Sequence, residues 1–233
     1  MNSAQTAYHH RSVGGYHAAK PILFQELIEK YGISPQAIQE FPHLFEMLNT
    51  KYIILNAPNQ PKPVAMPLQT AMGNAWFVSN ILWVNNANEE LDSLANFFPN
   101  NTAIIQKKFE PYFQNFTNSN GANDKIYLTA YQPEVLTYKS IATGERLAVF
   151  SEIYYPPHKG WNVYVDGQLK SDAFVKVNYL LRGLRVPAGE HLIEFKFEPQ
   201  AVAIGETVAL LSSITILASL AFALFMYYKS NKV

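Results

Sequence analysis

The chain has 233 residues, with 18 Lys+Arg against 18 Asp+Glu; a general nucleic-acid binder, which needs a basic excess, is excluded. It has no Cys, which excludes disulfide frameworks, thiolate metal sites and thiol nucleophiles. An apolar share of 48% beside 15% charged residues argues against disorder and for a sizeable core.

Residues 1–20 carry His9, His10, Arg11, His17 and Lys20 and no apolar run, so no signal peptide is read there. Phe24, Leu27, Ile28 and Tyr31 recur at helical spacing, which predicts a helix over Ile22–Tyr31 with Gly32 as its stop. Ser34-Pro35 caps a second helix, and Pro42 opens a fresh turn carrying Leu44, Phe45 and Leu48. Lys51–Leu55 reads as a short strand, and Asn56–Pro67, with four prolines, as a loop. Ala75–Val84 is aromatic and β-branched, hence one strand. On it Trp76 and Trp83, seven residues apart, would face opposite sides. Asn88 is expected to cap a short helix, Thr102–Phe109 to be a strand, and Asn115–Asp124 to be a mobile loop.

From Lys125 onward the pattern is strands: 125–131, 135–140, 147–155, 162–165, 173–178 and 190–197. Ile193, Phe195 and Phe197 alternate with Glu194 and Lys196. Asp166-Gly167 signals a hairpin turn and Pro187-Ala188-Gly189 a tight turn. Thr207–Tyr228 then runs 22 residues without a charge, about 33 Å of helix, enough for the hydrocarbon core of a bilayer. Tyr227 and Tyr228 suit an interfacial belt, and Lys229 and Lys232 place the tail in the cytoplasm by the positive-inside rule.

The expected fold is α+β, mainly β: a helical N-terminal segment, an antiparallel β-sandwich-like extracytoplasmic domain and one C-terminal transmembrane helix. The parts are residues 1–50 (helical), 51–124 (mixed), 125–199 (sandwich), 200–206 (juxtamembrane), 207–228 (membrane span) and 229–233 (tail).

WNVYVDGQ at 161–168, VNYLLRGLRVPAGEHLIEFKFEP at 177–199 and the following apolar span form a distinctive order. So do GGYHAAK at 14–20, MLNTKYII at 47–54, GNAWFV at 73–78 and FSEIYYP at 150–156. Together they resemble the C-terminal end of the YfhO family, in its Bacteroidetes form. These are polytopic bacterial membrane proteins regarded as glycosyltransferases of the GT-C type. The resemblance implies a polyprenyl-phosphate sugar donor and acidic catalytic residues in the first extracytoplasmic loop. No position of this chain corresponds to them, so it resembles the tail of such an enzyme, in the bacterial cytoplasmic membrane.

Candidate binding residues fall in three places. Gly14, Gly15, His17 and Lys20 combine close backbone approach with a cation, which suits an anionic headgroup or, more simply, a tight turn before a helix. Trp76 offers a face for a sugar ring or fills the core. Trp161, Asp166, Asn178 and Arg182 are expected to gather at the YVDG hairpin. There Asp166 either pairs with Arg182 or fixes the turn while Arg182 packs over Trp161. Glu89, Glu90 and Glu152 are the carboxylates that glycoside chemistry would need, but Glu89 and Glu90 belong to a helix first turn, where the dipole favours acids, so a glycosidase pair is not read here. No catalytic residue, metal or cofactor is expected. The expected partners are the lipid bilayer, a polytopic catalytic membrane region, and a glycan or lipid-linked sugar. The expected function is a membrane-anchored accessory domain; the alternatives are an independent carbohydrate-binding module and a structural subunit that binds other membrane proteins.

Overall fold

The structure, a computed structural model, describes residues 5–14, 20–55, 62–170 and 174–231. Four short helices come first: α1 Gln5–His9, α2 Ile22–Tyr31, α3 Pro35–Glu40 and α4 Pro42–Met47. Gly32 ends α2 at φ 78°, its N–H donating to the Ile28 carbonyl. The Ser34 hydroxyl accepts from the Ala37 N–H and starts α3. Strands β1 (Tyr52–Leu55) and β2 (Val64–Pro67) pair antiparallel. The expected loop therefore yields a strand at its end; residues 56–61 lie outside the described residues.

The expected strand 75–84 is two strands, β3 (Ala75–Val78) and β4 (Asn80–Val84), in different sheets. The break is at Ser79, where the N–H groups of Ser79 and Asn80 both donate to the Asn101 carbonyl at 2.9 Å. Helix α5 (Ala87–Ser93) is capped by Asn86 rather than Asn88: Asn86 Oδ1 accepts from the N–H groups of Asn88 and Glu89. Strand β5 (Thr102–Gln106) stops short of Phe109, because a 3₁₀ segment, Lys107–Phe113, containing Pro111 takes over. β4 and β5 pair in parallel.

The remaining strands are β6 (Lys125–Tyr131), β7 (Val135–Ala142), β8 (Arg146–Ile153), β9 (Trp161–Val165), β10 (Gln168–Leu169), β11 (Phe174–Val177), β12 (Leu181–Val186) and β13 (Gly189–Phe197). They form an outer sheet ordered β10-β9-β13-β7-β6 and, with β3, a central sheet ordered β11-β12-β8-β3. Every pairing within these two sheets is antiparallel. Asp166 (φ 51°) and Gly167 (φ 76°) make the two-residue turn between β9 and β10, as the dipeptide requires.

Two cores lie on opposite faces of the central sheet, giving three layers. Between the sheets, Tyr138, Phe150, Phe174 and Phe195 pack edge to face, with ring centroids 4.8 Å apart for Tyr138–Phe150 and 5.0 Å for Phe150–Phe195. On the other side, Leu147, Val149 and Val177 meet Leu27 of α2, Leu44 and Met47 of α4, Leu94 and Ile104. Full burial of each such side chain contributes about 1.5–3 kcal/mol. A side chain at Gly183 of β12 would collide with Val177 Cγ1, so that position admits only glycine.

The loop 115–124 is fastened rather than mobile. Asn118 donates to the Val78 carbonyl at 2.9 Å and accepts from the Leu147 N–H at 3.2 Å. Asp124 accepts from Gly121, Thr143 and Arg146. Burial raises the Asp124 pKa, but these donors outweigh it and hold the carboxyl below its ordinary range.

Helix α6 (Gln200–Ser230) completes the chain. It is long and apolar enough to cross a membrane, with a mean hydropathy of 2.3 over its best window, and none of its residues is buried in the protein. It starts seven residues before the expected span, at Gln200 rather than Thr207. The hydroxyls of Thr207, Ser212, Ser213, Thr215 and Ser219 each bond back to the carbonyl four residues earlier. No hydroxyl of these five is left unpaired for a lipid environment.

The second core encloses a charge. Glu90 of α5, fully buried, accepts from Lys176 Nζ, from Gln106 Nε2 at 2.6 Å and from the Tyr179 N–H at 2.8 Å. Lys176→Met strands that carboxylate and is expected to destabilise the fold by about 3–5 kcal/mol. Adding Glu90→Gln should recover most of the loss in denaturant unfolding. A double variant as unstable as the single one would show that the ion pair does not hold α5.

Candidate functional site

Strand β13 runs from Gly189 to Phe197, about 27 Å, and leads through Glu198 and Pro199 straight into α6. Its register against β9 and β7 places Trp161, Val135 and the 132–134 turn at the same end of the sandwich. That end is tied at several points to the residues that lead into the helix. The Phe197 N–H donates to the Glu134 carbonyl at 2.8 Å and the Glu198 N–H to the Gly160 carbonyl at 2.6 Å. The Glu198 carboxylate accepts from Asn162 Nδ2 and from the Tyr164 hydroxyl, both at 2.8 Å. These two donors hold its pKa below the usual carboxylate range. Gly160, at φ 114°, lets Phe197 and Pro199 approach to where a Cβ would be only 2.9 Å away.

Arg182 lies at this end of β12, only 2% exposed. Its guanidinium sits 4.3 Å from the Trp161 ring centre and 5.1 Å from that of Phe195, and Nε donates to the Ile153 carbonyl at 3.0 Å. Burial pushes its pKa down to about 10, while Glu152 opposes the shift, so it stays charged at neutral pH. Burial pushes the Glu152 carboxyl up, against the pull of Arg182 and Arg11. Arg11 stacks 3.5 Å over the Tyr131 ring. Arg182 Nη1 and the Tyr138 hydroxyl are buried and make no hydrogen bond among the described residues.

The structure therefore joins two of the expected residues and separates others. Trp161 and Arg182 are in contact. Asp166 does not pair with Arg182, because β9 carries it about 17 Å toward the opposite end of the sandwich. Its carboxylate meets His191 Nδ1 at 2.6 Å and the Leu192 N–H at 2.9 Å. Asn178 lies apart as well, accepting from the Ile104 N–H at 2.8 Å beside β5. Trp76 donates to the Pro99 carbonyl at 2.7 Å and packs on the second core. Lys20 donates to Gln25 at 3.2 Å, and Gly14 lies against Ile33. Gly15 and His17 lie outside the described residues. Glu198, Gly160, Asn162 and Tyr164 were not singled out from sequence; the acidic residue just before Pro199 and the apolar span is the one local signal.

Among the described residues no three His, Asp or Glu side chains converge on a common point. The arrangement is a buried cation caged by aromatic faces, with Glu152 acting on it electrostatically, beside the fastened residues that lead into α6. No family model matches the chain, and neither a curated protein nor a solved structure matches it.

The Asp166 contact carries a pH signature. His191 Nε2 meets the Ala188 carbonyl at 2.9 Å while Nδ1 meets Asp166, so both ring nitrogens face acceptors and the imidazolium satisfies both. Burial disfavours that charge, but the two acceptors outweigh it and hold the His191 pKa above its ordinary 6.5. The bond to His191 and the Leu192 N–H hold Asp166 below its ordinary 3.8. The His191 contribution to stability is full below pH 6.5 and fades as pH rises through its raised pKa. That of Asp166 is full above pH 3.8 and fades as pH falls through its lowered pKa. An NMR titration of the His191 ring should give a pKa above 6.5 that falls in Asp166→Asn. A value at or below 6.5 in the unsubstituted chain contradicts the assignment.

Proposed function

We propose that the chain is a membrane-anchored accessory domain with no catalytic residues of its own. It sits on the extracytoplasmic face of a bacterial cytoplasmic membrane, with residues 1–206 outside and the tail from 229 inside. The observation that carries this reading is α6, an apolar helix with no residue buried in the protein, fixed by the Glu198 junction to the end of the sandwich. The helix is about 46 Å long, and Glu206 lies about 10 Å beyond Pro199 along it. With Glu206 at the hydrocarbon boundary, the sandwich end stands at the outer edge of the headgroups. Partly exposed Tyr131, Tyr155 and Phe197 belong to that end and suit an interface that is apolar on one side and wet on the other.

The orientation rests on Lys229 and Lys232. The partner rests on the resemblance to the end of YfhO-type glycosyltransferases. It would be a polytopic catalytic region that takes sugar from a polyprenyl-phosphate donor, with this domain covering it and helping to position the acceptor glycan or lipid.

The absence of native Cys makes the topology directly testable. A Cys placed by Asn120→Cys should react with a membrane-impermeant maleimide in intact spheroplasts. One placed by Asn231→Cys should react only after permeabilisation. The reverse pattern would overturn the orientation, and recovery of the intact chain in the soluble fraction would overturn the anchor.

A further inference from the structure

Arg185 lies three residues beyond Arg182 on β12, about 10 Å farther from the α6 junction. Its Nη1 donates to the Tyr112 carbonyl at 2.7 Å and the Gln114 carbonyl at 3.4 Å. Its Nε and Nη2 donate to Glu145 at 3.0 and 2.8 Å. The guanidinium also sits 5.2 Å from the Phe116 ring centre. This clamp holds the aromatic stretch from Tyr112 to Phe116 in one conformation against the central sheet.

The clamped stretch and β4 border an open cleft of ≈ 340 Å³, lined by Ile81, Trp83, Glu110, Phe113, Gln114 and Phe116. That volume suits a small ligand. The rings stand nearly at right angles: Trp83 and Phe113 are 5.4 Å apart at 79°, and Phe113 and Phe116 are 5.5 Å apart at 73°. Glu110 and Gln114 are exposed at the rim. Neither side chain makes a hydrogen bond among the described residues.

We propose that this cleft binds a neutral glycan, with one pyranose ring packed on the Trp83–Phe113–Phe116 wall and its hydroxyls bonded by Glu110 and Gln114. A pyranose has an apolar C–H face that suits the electron-rich face of an aromatic ring. Its hydroxyls donate to a carboxylate, and they donate to and accept from a carboxamide. An acyl chain would strip water from both rim groups without replacing it, and an anion would meet the Glu110 charge. Rings already held in place lose little freedom on binding. The clamped stretch is bonded by Arg185, the arginine of β12 that lies farther from the α6 junction. The assignment deepens the accessory reading by naming where a glycan is held. Binding of a soluble oligosaccharide is nevertheless independent of the direction in which α6 crosses a bilayer.

The test uses the full chain in lipid nanodiscs, titrated calorimetrically with cellohexaose, maltohexaose and chitohexaose. At least one is expected to bind with micromolar to millimolar affinity. Glu110→Ala, at an exposed position without internal bonds, should weaken binding about tenfold or more with an unchanged melting temperature. Trp83→Ala should abolish it. Absence of binding to all three sugars would overturn the proposal. So would affinity unchanged in Glu110→Ala, or displacement of the sugar by palmitate. Sugar binding that survives a reversed maleimide pattern would break the orientation alone; a confirmed orientation without sugar binding would break the cleft assignment alone.

Discussion

The central sheet has a core on each face and therefore no wet side. Any cation on it must find its counter-charge in another element, because an unpaired buried charge costs several kcal/mol. Three cations meet that demand with a carboxylate, a fourth, Arg182, meets a carbonyl and aromatic faces instead, and each fastens a different part of the molecule. Lys176 of β11 takes Glu90 and with it α5. Arg146 of β8 takes Asp124 and the 115–124 loop. Arg185 of β12 takes Glu145 and the aromatic stretch. Arg182, at the other end of β12, takes the Ile153 carbonyl and the Trp161 face at the helix junction.

This constraint accounts for what local signals conveyed and what they did not. Helix α2, the Ser34 cap, the Asp166-Gly167 turn, β13 and α6 announce themselves through spacing or a single residue's chemistry. β13 borders one core only, so its residues alternate. β12 borders two, and Arg182, Gly183 and Arg185 fall where alternation expects apolar side chains, so it was not read as a strand. The break at Ser79 was equally invisible, since it depends on Asn101 reaching two consecutive N–H groups from outside the strand.

The candidate site was legible to the same degree. The Arg182–Trp161 stacking was one of two readings open from sequence, and it is the one the geometry contains. The Asp166–Arg182 pair failed because sheet membership, which sends the two residues to different sheets and different ends, is not encoded in any short window. The Trp83 cleft is assembled from β4 and a stretch thirty residues later, which meet through the Trp83–Phe113 ring contact while Arg185 from a third element holds the later stretch. Neither Trp83 nor Phe116 carries a local mark that separates it from an ordinary core residue.

The two arginines of β12 also explain why one short strand can serve two environments. Arg182 is caged by rings and stays out of reach of water, so it packs the junction end from within. Arg185 is partly exposed and spends its donors on backbone carbonyls and Glu145, so it shapes a surface instead of filling a core. Between them Gly183 lets Val177 of β11 close in on the strand. The same strand thus ties the residues that lead into α6 at one end and the stretch from Tyr112 to Gln114 at the other.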